Sequence, residues 1–184
     1  NEASVALIQP QVSTRVDLEA PTAFVRNPVG NVYTEGFDVL NTYTWHQAGN
    51  RGSANVEVAV IDFGFGNSTS ASSELSCLNS YPSVTLSQGT MAAGDTTRGL
   101  EMAEVICDIA PQSRVRLYQA TTANALYDAI TLADNTAKVI LIGTDFGAHF
   151  SPGDGTFGRS SAKNVYEAIS LAKANGVTVI AAAG

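Results

Sequence analysis

Asn55-Val-Glu-Val-Ala-Val-Ile-Asp-Phe-Gly-Phe-Gly66 is the stretch whose reading decides the fold. Val56, Val58, Val60 and Ile61 form a short, nearly continuous apolar run, the pattern of a strand covered on both faces. Asp62 ends the run, and Gly64 and Gly66 follow at once. A carboxylate at the carboxyl edge of a buried parallel strand lies where open α/β sheets gather ligand-binding and reactive groups. Asp is also a favoured turn residue, so Asp62 reads equally well as a cap on the turn or helix that follows.

Downstream, helical and strand patterns alternate. Met102, Val105, Ile106 and Ile109 recur at i, i+3, i+4 and i+7, which predicts a helix over Arg98 to Ala110 that Pro111 closes. Val115 to Gln119 reads as a strand. Asn124 to Asp134 reads as a helix that buries Leu126, Ala129, Ile130 and Ala133, and Val139 to Gly143 as another strand. Ser160 or Ser161 would cap a third helix with Val165, Ala168, Ile169 and Ala172 on its inner face. Lys173 suits its last turn and Gly176 its end. Val177 to Ala183 is the final predicted strand. Strands alternating with helices of these lengths predict an α/β layered fold, a parallel sheet with crossover helices.

Upstream, Tyr43 to Gly52 reads as a short helix ending near Gly49 that delivers the chain to the Asp62 strand. Trp45 is expected there as a core anchor and His46 as a structural residue. Residues 1–35 hold Pro10, Pro21 and Pro28 with little periodicity, the mark of an extended arm lying on a surface. The chain thus divides into an arm, 1–35, and an α/β domain, 36–184. Between Gly66 and Arg98 it is rich in Ser, Thr and Asn, with Pro82 and a brief strand candidate at Val84 to Leu86.

Composition narrows the function classes. With 184 residues the chain suffices for one domain with a real core. A net charge of −7 excludes a general nucleic-acid binder, which needs a concentrated basic face. No apolar run reaches the roughly 18 residues of a membrane helix, so no membrane span is expected. The sequence opens at Asn1 without Met, as expected of a processed or trimmed chain. Cys77 and Cys107 permit one disulfide, or are two buried thiols. Low Lys content, abundant Ser, Thr, Asn and Gly, and the sequon Asn67-Ser68-Thr69 point to an extracellular protein. The Ser151-Pro-Gly-Asp-Gly-Thr156 loop offers oxygens to Ca²⁺. Asp154 is its single carboxylate, against the roughly six to eight oxygen ligands that ion takes, so the loop reads as a turn and no metal or other cofactor is expected.

Taken in order, several segments resemble the subtilisin-like serine proteases. Trp45-His46-Gln47-Ala48-Gly49 followed by Val58-Ala-Val-Ile-Asp-Phe-Gly-Phe65 is similar to the entry to that family's first catalytic strand. Ala103-Glu-Val-Ile-Cys-Asp-Ile-Ala-Pro111 resembles the helix after the catalytic histidine in a bacterial branch. Val139-Ile-Leu-Ile-Gly-Thr-Asp-Phe-Gly147 stands where the family has its substrate-binding strand. Ala174-Asn-Gly-Val-Thr-Val-Ile-Ala-Ala-Ala-Gly184 resembles the strand that ends just before the oxyanion asparagine. The resemblance covers residues 35–184, about the first half of such a catalytic domain.

The resemblance implies a site and also its loss. The family's chemistry needs a hydroxyl nucleophile, an imidazole base, a carboxylate that orients it and an oxyanion donor. Asp62 matches the carboxylate. The histidine position falls on Arg98, counting back from Ala110-Pro111, or on Gln88 if Gln88-Gly89-Thr90 is matched to the family's His-Gly-Thr. Neither a guanidinium nor a carboxamide acts as a base near neutral pH. His149 matches no base position. Asp145 replaces the usual serine of the substrate strand, while Phe146 and Gly147 complete it, and Ala182, Ala183 and Gly184 line the strand before the oxyanion position. The segment that would carry the nucleophilic serine does not occur in these residues.

The resemblance therefore implies a catalytically inactive extracellular protein with a structural or assembly role, or the amino-terminal half of a protease completed by a second chain. An Arg at position 98 is expected to form a charge-assisted pair with Asp62. The unblunted strand Val177 to Ala183 is expected to be covered by self-association or by a second chain that completes the sheet. The Val5-Ala6-Leu7-Ile8 run of the arm could add itself to another copy, giving homo-oligomers or filaments.

Overall fold

The computed structural model describes residues 34, 36–65, 97–144 and 164–181. Expectations for the arm up to residue 33, the 66–96 stretch with Cys77 and Gln88, the 145–163 loop with Asp145, Phe146, Gly147, His149, Asp154, Ser160 and Ser161, and Ala182 to Gly184 lie outside them.

The elements run α1 (Gly36–Val39), α2 (Thr42–Gln47), β1 (Glu57–Asp62), α3 (Arg98–Ile109), β2 (Arg114–Gln119), α4 (Ala123–Asp134), β3 (Val139–Ile142), α5 (Val165–Ala174) and β4 (Thr178–Ala181). The four strands form one sheet in the order β2-β1-β3-β4, and every neighbouring pair is parallel. The α/β class and its parallel sheet are thus as the alternation of patterns predicts. β1 is flanked on both sides, with Ile61 in register with Tyr118 and Ile142, and it is buried at every position except Val58. Its apolar run is that of an interior strand.

Two cores lie on opposite faces of the sheet. On one, α4 and α5 pack Leu126, Ala129, Ile130, Ala133, Val165, Ala168 and Ala172 onto Ala59, Ile61, Tyr118, Ile140 and Ile142. On the other, α3 packs Ala103 and Cys107 onto Val60, Phe65, Val115 and Leu117. The inner faces of α4 and α5 follow the expected spacing. Thr122 caps α4 by accepting from the Ala125 N–H at 3.1 Å. Asn164, rather than a nearby serine, caps α5 by accepting from the Tyr166 N–H at 3.0 Å.

One further local expectation, Trp45, is corrected, and the packing of α3 differs from its most regular apolar stripe. The Met102, Val105, Ile106, Ile109 stripe is not the buried face of α3, which is formed by Gly99, Ala103 and Cys107, together with Asp108. Small residues at i, i+4 and i+8 let the helix sit close to the sheet. A Cβ on Gly99 would strike the Phe65 ring and the Gly64 carbonyl, so the larger residues are turned to the flank. Trp45 is not a core anchor and is 61% exposed. The buried aromatic of that region is Phe37 on α1, a helix the sequence pattern did not announce, set edge-on to the His46 ring at 5.4 Å between centroids. The short helix α2 ends at Gln47, before Gly49. His46 is structural, its Nε2 2.8 Å from the carbonyl of Ile109 at the end of α3. Among the described residues no helix is long and apolar enough to cross a membrane.

Candidate functional site

At the carboxyl edge of the sheet, β1 ends in Asp62, which has no exposed surface. Burial of a carboxylate requires partners for its oxygens. Oδ1 accepts from the Phe63 N–H at 2.7 Å and, at the outer limit of a hydrogen bond, from the Gly64 N–H at 3.5 Å. Oδ2 accepts from Arg98 Nε at 3.1 Å, and Arg98 Nη2 reaches Oδ1 at 3.5 Å. Arg98 is the first residue of α3, and its side chain is 49% exposed. Its Nη2 also donates to the carbonyl of Gly143 at 2.5 Å. The guanidinium is therefore fastened to the ends of both β1 and β3, and the pair expected between Arg98 and Asp62 is present.

The surroundings explain why this clamp fits. The Gly99 N–H donates to the Gly64 carbonyl at 3.2 Å, tying the start of α3 to the turn after β1. Gln119, in register with Asp62 on β2, donates from Nε2 to the Phe63 carbonyl at 2.8 Å. Gly143 closes the other side: a Cβ there would fall on Asp62 Oδ2 and on the Met102 Cε. Any side chain at 143 would displace Met102 or the carboxylate that Arg98 holds. Sequence reasoning found Asp62 and Arg98 but not Gln119 or Gly143. A glycine directly after a buried strand was the available signal for the second.

The arrangement is a neutralised acid, not an acid with a base. A guanidinium offers hydrogen-bond donors and no acceptor, so Arg98 holds the carboxylate by donating to it. Cys107, two turns further along α3 and fully buried, is disulfide-bonded; the sequence has one other cysteine, Cys77, outside the described residues. Among the described residues no cluster of His, Cys, Asp and Glu could hold a metal ion.

A second polar cluster, unforeseen in the sequence, lies at the amino end of the sheet. The buried Glu57 is paired with Arg116 Nη2 at 3.0 Å and accepts from the Thr136 hydroxyl at 2.5 Å. Burial pushes the nearby Tyr118 hydroxyl above its ordinary value. This cluster joins β1 and β2 to the turn that follows α4, and it is remote from Asp62 along the strand.

The fold is α/β, a parallel sheet with helices on both faces. No protein-family model matches the chain, and no curated protein matches it. Among solved structures it is similar to one described as the crystal structure of a lanthipeptide protease, with a TM-score of 0.50 and 23% sequence identity. The match covers 80% of this chain and 43% of that one, so this chain spans less than half the length of the protease it resembles. At that identity the likeness is one of fold.

Proposed function

We propose that this chain is a catalytically inactive relative of the subtilisin-like proteases whose role is structural or assembly-forming, carried out outside the cell. The observation that carries the reading is the guanidinium of Arg98 on the Asp62 carboxylate. In the subtilisin-like arrangement that carboxylate orients an imidazole, which takes the proton of a serine hydroxyl. An arginine at that place satisfies the carboxylate and leaves no base. The likeness of fold to a protease supports the ancestry, and the disulfide at Cys107 supports an oxidising compartment.

The assembly part of the proposal rests on β4. Thr178, Ile180 and Ala181 are exposed and Val179 is half-buried, so among the described residues the strand is an edge that another polypeptide can pair with. That polypeptide is a second copy, or a chain that carries the remainder of a protease-like domain, consistent with a match to less than half of the solved protease.

A fluorophosphonate probe tests the absence of a nucleophile. The purified chain is expected to remain unlabelled at every serine, as followed by intact mass. Stoichiometric labelling of any serine in residues 1–184 that depends on the native fold would overturn the proposal.

A further inference from the structure

Asn175-Gly176 is the one Asn-Gly step in the sequence, and it lies where α5 turns into β4. The fold demands that glycine. α5 ends at Ala174 with Asn175 as its C-cap, so Gly176 is the residue that turns the chain out of the helix, at φ +84°. The Gly176 N–H donates to the Lys173 carbonyl and the Val177 N–H to the Ala172 carbonyl, each at 3.0 Å, the two bonds of a Schellman motif. Val177 and Ala172 belong to the same core, so the turn is held by packing as well.

The Asn175 side chain is engaged too. Its Nδ2 donates at 2.7 Å to Oδ2 of Asp134, the last residue of α4, and so ties the ends of the two helices together. The other oxygen, Asp134 Oδ1, is buried and has no hydrogen-bond partner among the described residues. Asn175 Nδ2 is thus the donor on which this carboxylate depends, and a carboxylate in its place would set two negative charges at hydrogen-bond distance.

An asparagine before glycine carries its own reagent. With no side chain in the way, the glycine nitrogen can attack the asparagine Cγ. The N–Cγ bond forms, the proton of that nitrogen passes to solvent, and the side-chain nitrogen leaves as ammonia. Water then opens the cyclic imide at either carbonyl, so the net change is a water consumed and an ammonia released. The native structure opposes every part of this step. The Gly176 N–H is bonded to Lys173 and the leaving nitrogen to Asp134. The Asn175 ψ of 2° is about a third of a turn from the angle that brings the Gly176 nitrogen round to the side chain.

We infer that Asn175 is a deamidation site, closed in the folded protein by the helix end and by Asp134, and opened when the end of α5 separates from α4. The product does not fit the native arrangement. An aspartate formed there faces Asp134. Its isomer, whose backbone runs through the former side chain, adds a carbon to the connection into β4, where the Thr178 N–H donates to the Lys138 carbonyl at 3.0 Å. The reaction is therefore a one-way covalent record of opening at the edge of the sheet, and it stands apart from the question of catalysis.

The test incubates the full 184-residue chain in mildly alkaline buffer, folded and in urea, and follows conversion at Asn175 by peptide mapping with mass detection. Conversion in the folded chain is expected to be at least about tenfold slower than in urea, because it waits on local opening. Gly176→Ala, read in urea where the fold plays no part, is expected to slow it about tenfold by hindering the attacking nitrogen. Asp134→Ala, with folding checked by circular dichroism, is expected to speed conversion in the folded chain about fivefold through more frequent opening. Asn175→Asp is expected to lower the urea midpoint, and Asp134→Asn added to it to restore most of the loss, since an amide at 134 can donate to a carboxylate at 175. Equal rates in the folded and unfolded chain would overturn the inference, and that comparison needs no variant to fold. An unchanged rate in folded Asp134→Ala would overturn the role of Asp134. Conversion in urea no faster than at the chain's other asparagines would overturn the site itself. A midpoint for Asn175→Asp that Asp134→Asn does not recover would overturn the account of the product. None of these outcomes bears on the fluorophosphonate result.

Discussion

Replacing Arg98 with Ala removes the charged partner of a carboxylate that has no contact with solvent. Asp62 would keep the Phe63 N–H at 2.7 Å and the long contact from Gly64 at 3.5 Å, and would lose the bond from Arg98 Nε at 3.1 Å. Breaking a fully buried ion pair costs about 3–5 kcal/mol, whereas exposed pairs contribute about 0–1 kcal/mol. The arginine is half exposed, so water can replace part of what it supplies, and the expected loss for Arg98→Ala is about 2–3 kcal/mol. Asp62→Asn removes the charge that Arg98 neutralises, and it should cost about 1–2 kcal/mol through the weaker hydrogen bonds of an amide. In the double variant neither charge remains uncompensated, so its loss should fall short of the sum by about 1–2 kcal/mol. Urea unfolding followed by circular dichroism measures all four corners of the cycle, with the slope checked for constancy. Additivity within about 0.5 kcal/mol would refute the reasoning, because it would mean that the two side chains do not depend on one another for stability.

Three other outcomes are expected. Gly143→Ala should destabilise the protein by about 1–3 kcal/mol through overpacking against Met102 and Asp62, and Met102→Ala in the same chain should recover part of the loss in urea unfolding. Reduction of the disulfide at Cys107 should lower stability by about 2–5 kcal/mol, seen as an earlier unfolding midpoint in reductant after the thiols have been confirmed by mass. Burial raises the Tyr118 hydroxyl above its ordinary 10.0, so the folded state keeps a proton that the unfolded state releases; the stability this contributes is present below pH 10 and declines as pH rises beyond it. Tyr118→Phe should flatten that alkaline decline in unfolding measured from pH 9 upward.

The legible parts of the sequence were those where one periodicity answered to one neighbour. α4 and α5 present Leu126, Ala129, Ile130 and Ala133, or Val165, Ala168 and Ala172, to a single sheet face, and helical spacing alone picks these residues out. Asp62 stood out because a charge interrupts an apolar run at a predictable sheet edge. α3 misled because two faces are apolar: Gly99, Ala103 and Cys107 bury themselves by being small, whereas Met102, Ile106 and Ile109 match the hydrophobic template better. Size, and not hydrophobicity alone, decided how close the helix could approach. Trp45 misled for a related reason, since the six-residue α2 offers it no pocket and Phe37 already fills the space beside His46. Gln119, Gly143 and the Glu57–Arg116 pair belong to contacts between segments far apart in sequence, where local pattern carries no information about the partner.

The attachment of α3 at both extremities has a mechanical consequence. At its start the guanidinium of Arg98 is bonded to the ends of β1 and β3. About 15 Å away Asp108 receives the N–H of Thr34, and the Ile109 carbonyl one residue on receives the His46 ring. The helix is a rod pinned at its two ends, with a covalent link at Cys107 near the lower pin. Slippage of the rod by one turn, about 5.4 Å, would pull Arg98 from both of its carbonyl and carboxylate anchors at once. The clamp at the carboxyl edge of the sheet is therefore also an anchor against sliding of the helix along the sheet.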